Sequence, residues 1–425
     1  MVPPDEKKVI AAILEPFVKG FQPKHWDEAM AARAENPAAF LQTEKISERV
    51  KASGLSEDHA GPLRSMAREI ASDENLLAFA WYLHWRVFVA PEHGQPWGVP
   101  TLEKRLGSRA GLFYQLLSLE WEPRLRAYHK KLGYPSKVTD ETLEQIQSYE
   151  ANHLRGKGGQ GMYQNQFPWF ATYLMGPYIK LGRFEYQLHA YDGGTHVYRR
   201  KRDGAVLLMA ESGQRFGMDG LRLDSKAPPA EGWTASLKEE GGWIRGFSIA
   251  PTGHALNKEI RLPAAEWSSY LRTGDRVLDL HIPAGGKMDM EAMVNSFKQA
   301  GPFFRKHHPD KPWKALVVTT WFMDPRAVEI LGPESNPVLL QRLVHLYPTH
   351  PSPDSLWFVF LGPVALGPPD QLPATTSMQK KLIDFMKSGR TWHGGGFFML
   401  PEDLADPKLD VYRDRFAALS KELAI

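Results

Sequence analysis

Residues 276–304 read "RVLDLHIPAGGKMDMEAMVNSFKQAGPFF", and the fold turns on how that stretch is parsed. Leu278, Leu280 and Ile282 alternate with Asp279 and His281, the period of a strand with one apolar face. Pro283-Ala284-Gly285-Gly286 breaks the pattern, and after Asp289 the apolar residues Met290, Met293, Val294, Phe297 and Phe304 recur at helical spacing. A strand that ends in glycines and feeds a helix exposes N–H groups without intrahelical partners at the positive end of the helix dipole. That is an anion site in outline, wide enough for a diphosphate. The same residues also suit a plain strand-to-helix turn. Asp289 and Glu291 complement the dipole themselves and would repel a phosphate held close. Both readings stand at this point.

Outward from that stretch, strands and helices alternate. "KALVVTTWFM" reads as a strand, "DPRAVEILGPESNPVLLQRL" as one or two short helices and "SLWFVFLG" as a third strand. "TTSMQKKLIDFMKSG" then reads as a helix and "GGGFFML" as a last strand. Such alternation implies βα units and a partly parallel sheet. Upstream, 176–262 has period-two segments separated by the hairpin signals Asp192-Gly193-Gly194 and Asp203-Gly204, with 225–232 as a loop. The region predicts a mainly antiparallel meander.

Before the glycine-rich joint at 155–161 the pattern is helical. In "DENLLAFAWYLHWRVFV", Leu77, Ala80, Trp81, His84, Trp85 and Phe88 form one stripe behind an N-cap at Ser72 or Asp73. His84 reads as a core histidine. The expected division is therefore a helical domain, 1–155, followed by a mixed α/β domain, 156–425.

The chain has 425 residues, 43% hydrophobic and 24% charged, with net charge +3, which is globular composition with material for two cores. The basic runs "YRRKRDG" and "FFRKHH" lack interleaved aromatics, so no nucleic-acid face is expected. Cysteine is absent, which removes disulfides and thiolate chemistry. The first residues lack an apolar signal segment and no run approaches the ~20 residues of a membrane span, so a cytoplasmic protein without membrane association is expected. The histidines at 307, 308, 345 and 350 lack a metal-binding spacing, and no metal is expected.

Several residues could carry chemistry. His281 sits at the carboxyl end of its strand, where ligands of open sheets gather, although a buried histidine bonded to a carbonyl fits too. Glu185 in "KLGRFEYQ" is a base candidate if burial raises its pKa, or one half of an ion pair with Arg183. Asp324, at the tip of "TTWFMDP", suits an N-cap or a substrate contact. Asn336 in "LGPESNP" suits a cap or a polar ligand contact, and "GRTWHGGGFF" suits a turn or a closing flap.

"YLRTGDRVLDLHIPAGGKMDMEAMVNSF", "TTWFMDPRAVEILGPESNPVLLQRL", "LPATTSMQKKLIDFMKSGRTWHGGGFFML" and "LGRFEY" together resemble a bacterial family of two-domain acyltransferases. Its members join an N-acyltransferase helical domain to a GNAT-like domain. The resemblance is strongest over 262–400. It implies an acyl-CoA or acetyl-CoA co-substrate and transfer of its acyl group to a small-molecule or peptide amine. It makes Pro283–Lys287 the pyrophosphate loop, with Ala284, Gly285, Gly286, Lys287 and Asn336 as cofactor contacts and Glu185, His281 and Asp324 as catalytic candidates. The usual loop, Q/R-x-x-G-x-G/A, differs from "HIPAGGKMDM". The rival reading is a non-catalytic GNAT scaffold that binds a nucleotide, peptide or protein.

Overall fold

The structure, a computed structural model, describes residues 5–13, 21–35, 39–176, 178–224, 231–286, 288–351, 356–361 and 368–425. It divides into two compact units, one of Met1–Leu181 with Pro283–Gly285, the other of Gly182–Ile282 with Gly286–Ile425.

The first unit is helical. Asp73 caps the helix Glu74–His84, its carboxylate accepting from the N–H groups of Asn75 at 2.9 Å and Leu76 at 3.1 Å. From Ala78 to His84 every residue is buried, so the helix is the axis of the core and not a one-faced surface helix. Trp26, Phe40, Leu63, Phe113, Trp121 and Phe170 pack into the same core, each large side chain contributing about 1.5–3 kcal/mol by leaving water. His84 stacks on Phe40 within it. The helices Ala110–Ser118, Trp121–Lys131 and Ser136–Lys157 follow, the last ended by Gly158 in the left-handed region at φ 73°. A further helix, Trp169–Met175, and a short strand, β1 (Ile179–Leu181), close the unit.

The second unit begins with β2 (Phe184–Ala190), β3 (Thr195–Arg200) and β4 (Val206–Ala210). The small pair β5 (Arg215–Phe216) and β6 (Trp233–Thr234) follows, then β7 (Lys238–Glu240), β8 (Trp243–Ala250), β9 (His254–Pro263) and β10 (Trp267–Leu271). Next come β11 (Arg276–His281), β12 (Leu316–Thr320), β13 (His345–Tyr347) and β14 (Gly395–Met399). The single meander expected over 176–262 is divided between two sheets. Strand β2 joins β11, β12, β14 and β13 in that order, whereas β10, β3, β4, β8 and β7 form the other sheet with β9 on β8. Of the loop expected at 225–232, residues 225–230 lie outside the described residues.

The helix Met290–His307 makes the crossover from β11 to the parallel strand β12 and buries Met293, Phe297, Ala300 and Phe304. Ser296 pins it to the sheet: its hydroxyl accepts from the Phe184 N–H at 3.1 Å and lies 2.9 Å from the Tyr186 hydroxyl. The expected helices near 327–343 are present as Ala327–Leu331 and Asn336–Leu343, and Thr376 and Gln379 form a capping box ahead of Ser377–Lys387.

The expected strand "SLWFVFLG" is a correction. Trp357–Phe360 is a single helical turn, with Leu356 and Phe360 buried beside Ala327, Leu382 and Phe385. A six-residue apolar run has no periodicity of its own, and the four-residue step from Leu356 to Phe360 wins because its partners are helices. Neither β13 nor the final helix Val411–Leu423 was expected. Among the described residues, no helix is long and apolar enough to cross a membrane.

Candidate active site

Strand β11 has unlike neighbours, antiparallel β2 on one side and parallel β12 on the other. It pairs with β12 at Leu278–Leu316 and Asp279–Val317. Both strands then run on, to His281 and Thr320, without further ladder partners between them among the described residues. The two carboxyl ends part, and a crevice at such a junction is where open sheets hold ligands.

At the tip of β11, antiparallel register sets His281 opposite Glu185 of β2. Their side chains meet, Nδ1 of His281 lying 2.6 Å from Oε2 of Glu185. The glutamate is fully buried while the histidine is 35% exposed, so the pair has a dry anchor and a wet end. A carboxylate beside Nδ1 keeps the proton on that nitrogen, which leaves Nε2 with the lone pair. Such a ring can take a proton from a substrate while the buried carboxylate stabilises the cation that forms.

The turn after β11 follows at once. Gly285 and Gly286 have φ of 80° and 69°, the left-handed region that glycine tolerates without strain. A Cβ built on Gly286 would approach nothing nearer than Arg183 Cδ and Nε, both at 4.0 Å, so the backbone is open and an arginine stands beside it. Burial pushes the Arg183 pKa down and Glu185 opposes that. Ala284, Gly285 and Gly286 are all exposed, and Lys287 lies outside the described residues. Asp289 caps the following helix by accepting from the Ala292 N–H at 2.8 Å.

Asp279, two residues before His281 on the same strand face, lines a cavity of about 150 Å³ with His189, Tyr191, Val317, Thr319 and Tyr347. Burial raises its carboxyl pKa to about 6, against the opposing pull of His189 and His281. The alternation of Asp279 with His281 placed both on one face, yet nothing in the sequence marked that face as hollow. Arg183 beside Gly286 was likewise invisible, because the two are far apart in the chain.

Asp324 and Asn336 are engaged differently. Asp324 is fully buried; it accepts from the Arg326 N–H at 2.9 Å, the Arg326 guanidinium at 2.8 and 3.0 Å, and the His393 N–H at 2.8 Å. It fastens the turn after β12 to the segment before β14. Asn336 opens the helix Asn336–Leu343 behind the N-cap residue Ser335. No contact in the structure joins either residue to the Glu185–His281 pair among the described residues.

Residues 178–398 match the GNAT-like C-terminal domain family and residues 44–176 the N-acyltransferase N-terminal domain family. The first match spans just over half of the 425 residues, and the chain belongs to the GNAT-like C-terminal domain family. No curated protein matches in sequence. Among solved structures, an acyltransferase in complex with CoA and 10C-teicoplanin is similar with a TM-score of 0.61 and 22% identity, over 93% of this chain and 99% of that one. An acyltransferase in complex with decanoyl-CoA and teicoplanin gives the same figures, TM-score 0.61, 22% identity and 93% and 99% coverage. An acyltransferase in complex with decanoyl-CoA is similar with a TM-score of 0.58 and 18% identity, again over 93% and 99% of the two chains. At these identities the likeness is one of fold.

Proposed function

We propose that this member of the GNAT-like C-terminal domain family moves an acyl group from a CoA thioester to the amine of a small-molecule or peptide-like acceptor. The observation that carries the reading is the Glu185–His281 pair, set at the parting ends of β11 and β12 and followed directly by an open glycine turn. In the reaction, the amine nitrogen attacks the thioester carbonyl carbon, the C–N bond forms and the C–S bond breaks. Nε2 of His281 takes the amine proton and returns it to the departing CoA sulfur, while Glu185 holds the ring through Nδ1 and steadies the imidazolium.

The N–H groups of Ala284, Gly285 and Gly286 receive the donor's diphosphate in this proposal, with Arg183 and Lys287 as cations and Asn336 as a further polar contact. Asp324 is assigned the positioning of the β12 turn, since its oxygens are already committed. Similar folds solved with decanoyl-CoA and teicoplanin support a medium-chain donor and a glycopeptide-like acceptor. A donor drawn from the acyl-CoA pool supports a cytoplasmic location.

The test is thermal unfolding of the purified chain with acetyl-CoA, octanoyl-CoA and decanoyl-CoA, followed by release of free CoA thiol in the presence of amine acceptors. A donor at a hundred times its Kd stabilises by about 2.7 kcal/mol. Gly286→Val, a branched side chain at positive φ, should abolish the shift. No shift with any CoA ester overturns the reading and favours a scaffold that binds without catalysing.

A further inference from the structure

His25, Glu28 and His93, in the helical unit, bring two imidazoles and a carboxylate together. Nδ1 of His25 lies 3.0 Å from Oε1 of Glu28, and Nε2 of His93 lies 3.7 Å from Oε2 of the same carboxylate. One ligand atom from each of the three falls within 4.8 Å of the others. A zinc ion bonded tetrahedrally to two nitrogens and an oxygen at about 2.0–2.2 Å holds them about 3.4 Å apart, so the 3.0 Å pair would open and a pair near the outer limit would close by about an ångström. We propose that this trio is a site for a divalent transition-metal ion of the zinc class, with water completing the coordination.

The ligand-bearing segments are held together by contacts that a metal would not have to create. The Arg86 guanidinium donates to the Lys24 carbonyl at 3.0 Å, one residue before His25, and to the carbonyls of His93 at 3.1 Å and Gly94 at 2.8 Å. Tyr82 donates to the Lys24 carbonyl as well, at 3.1 Å. The His93 ring stacks on Trp85, with centroids 5.3 Å apart and planes 22° from parallel, and on His25, with centroids 4.3 Å apart. Backbone and one ring plane are therefore set before any ion arrives, and binding has little ordering left to do. The donor set is the zinc, nickel or copper type and not the all-oxygen type of calcium or magnesium.

Two features oppose the ion. Arg86 is a neighbouring cation, and His25 and Glu28 flank the positive end of the helix Trp26–Glu35. The ionised Glu28 carboxylate offsets one charge. Binding requires the two stacked rings to turn their lone pairs toward one point. The site contains no residue of the proposed acyl-transfer machinery, so it stands or falls independently.

The experiment is titration of the full-length chain with Zn²⁺ by calorimetry, and with Co²⁺ by visible absorption, at neutral pH. The expected result is one ion per chain, with Co²⁺ giving the d–d bands of a nitrogen-containing site. His93→Ala and Glu28→Gln should each weaken binding roughly tenfold or more. His25→Asn serves for the third ligand, because asparagine tolerates the φ of 64° at that position. Metal-free unfolding midpoints of the variants should match the parent, which separates lost ligation from lost folding. His307→Ala should leave binding unchanged. Absence of binding, or binding unaltered by the three ligand variants, overturns the site.

Discussion

Glu185 and His281 face each other across antiparallel strands, with the carboxylate fully buried and the ring reaching solvent. Burial of the acid and exposure of the base divide the two roles between them. Glu185→Gln keeps the shape and an acceptor for Nδ1 but removes the charge that stabilises a protonated ring. Acyl transfer should fall, whereas a glutamate that only supports the fold would leave the rate of the folded variant in place. His281→Ala should lower kcat by a factor on the order of 10²–10⁴ with a smaller effect on donor binding. Steady-state kinetics of each folded variant, with kcat separated from the donor KM, check both.

Asp279 makes the folded protein sensitive to pH in a stated direction. Its carboxyl is raised from an ordinary value of 3.8 to about 6, so the folded state favours the protonated form. The associated stability is fully present below the ordinary value and is lost as pH rises through about 6. A shift of that size corresponds to roughly 3 kcal/mol by neutral pH. Asp279→Asn should therefore be more stable than the parent at pH 7 and similar to it at acid pH, measured by urea unfolding at both.

In the helical unit, Gly111 lies directly beneath the His153 ring. A Cβ on Gly111 would sit 2.3 Å from His153 Nε2, and the ring cannot swing away freely because its Nδ1 donates to the Gly159 carbonyl at 2.8 Å. Gly111→Ala should cost about 1–3 kcal/mol of stability, as overpacking does. Pairing it with His153→Ala should recover most of that loss relative to His153→Ala alone, so the non-additivity in a double-mutant cycle is the readout.

Ser296 satisfies two groups at once, the Phe184 N–H and the buried Tyr186 hydroxyl. Ser296→Ala leaves both without that partner and should destabilise by about 1–3 kcal/mol. Tyr186→Phe in the same background should recover part of it, since the hydroxyl that needs a partner is gone. Thermal unfolding of the two variants decides the point.

Much of the architecture is legible in residue order because it rests on local periodicity. The Asp73 cap, the helices from Ala110 to Lys157, the strand–turn–helix from β11 to His307 and the capping box at Thr376 each need only neighbours a few residues away. Glu185 and His281 could each be named from their strand positions, but their pairing is a matter of register between strands 96 residues apart. The same holds for Arg183 beside Gly286, for the hollow at Asp279, and for His25, Glu28 and His93. Long-range register also sends β2 to one sheet and β3 to another, although the segments look alike. The turn at 357–360 is helical because the surface it meets is helical. Sequence alone determined which segments are regular and which side chains could carry chemistry, since those follow from propensity and spacing. Only the tertiary structure decided which of those side chains meet and how dry each one is, because contact and burial are set by chain segments remote in sequence.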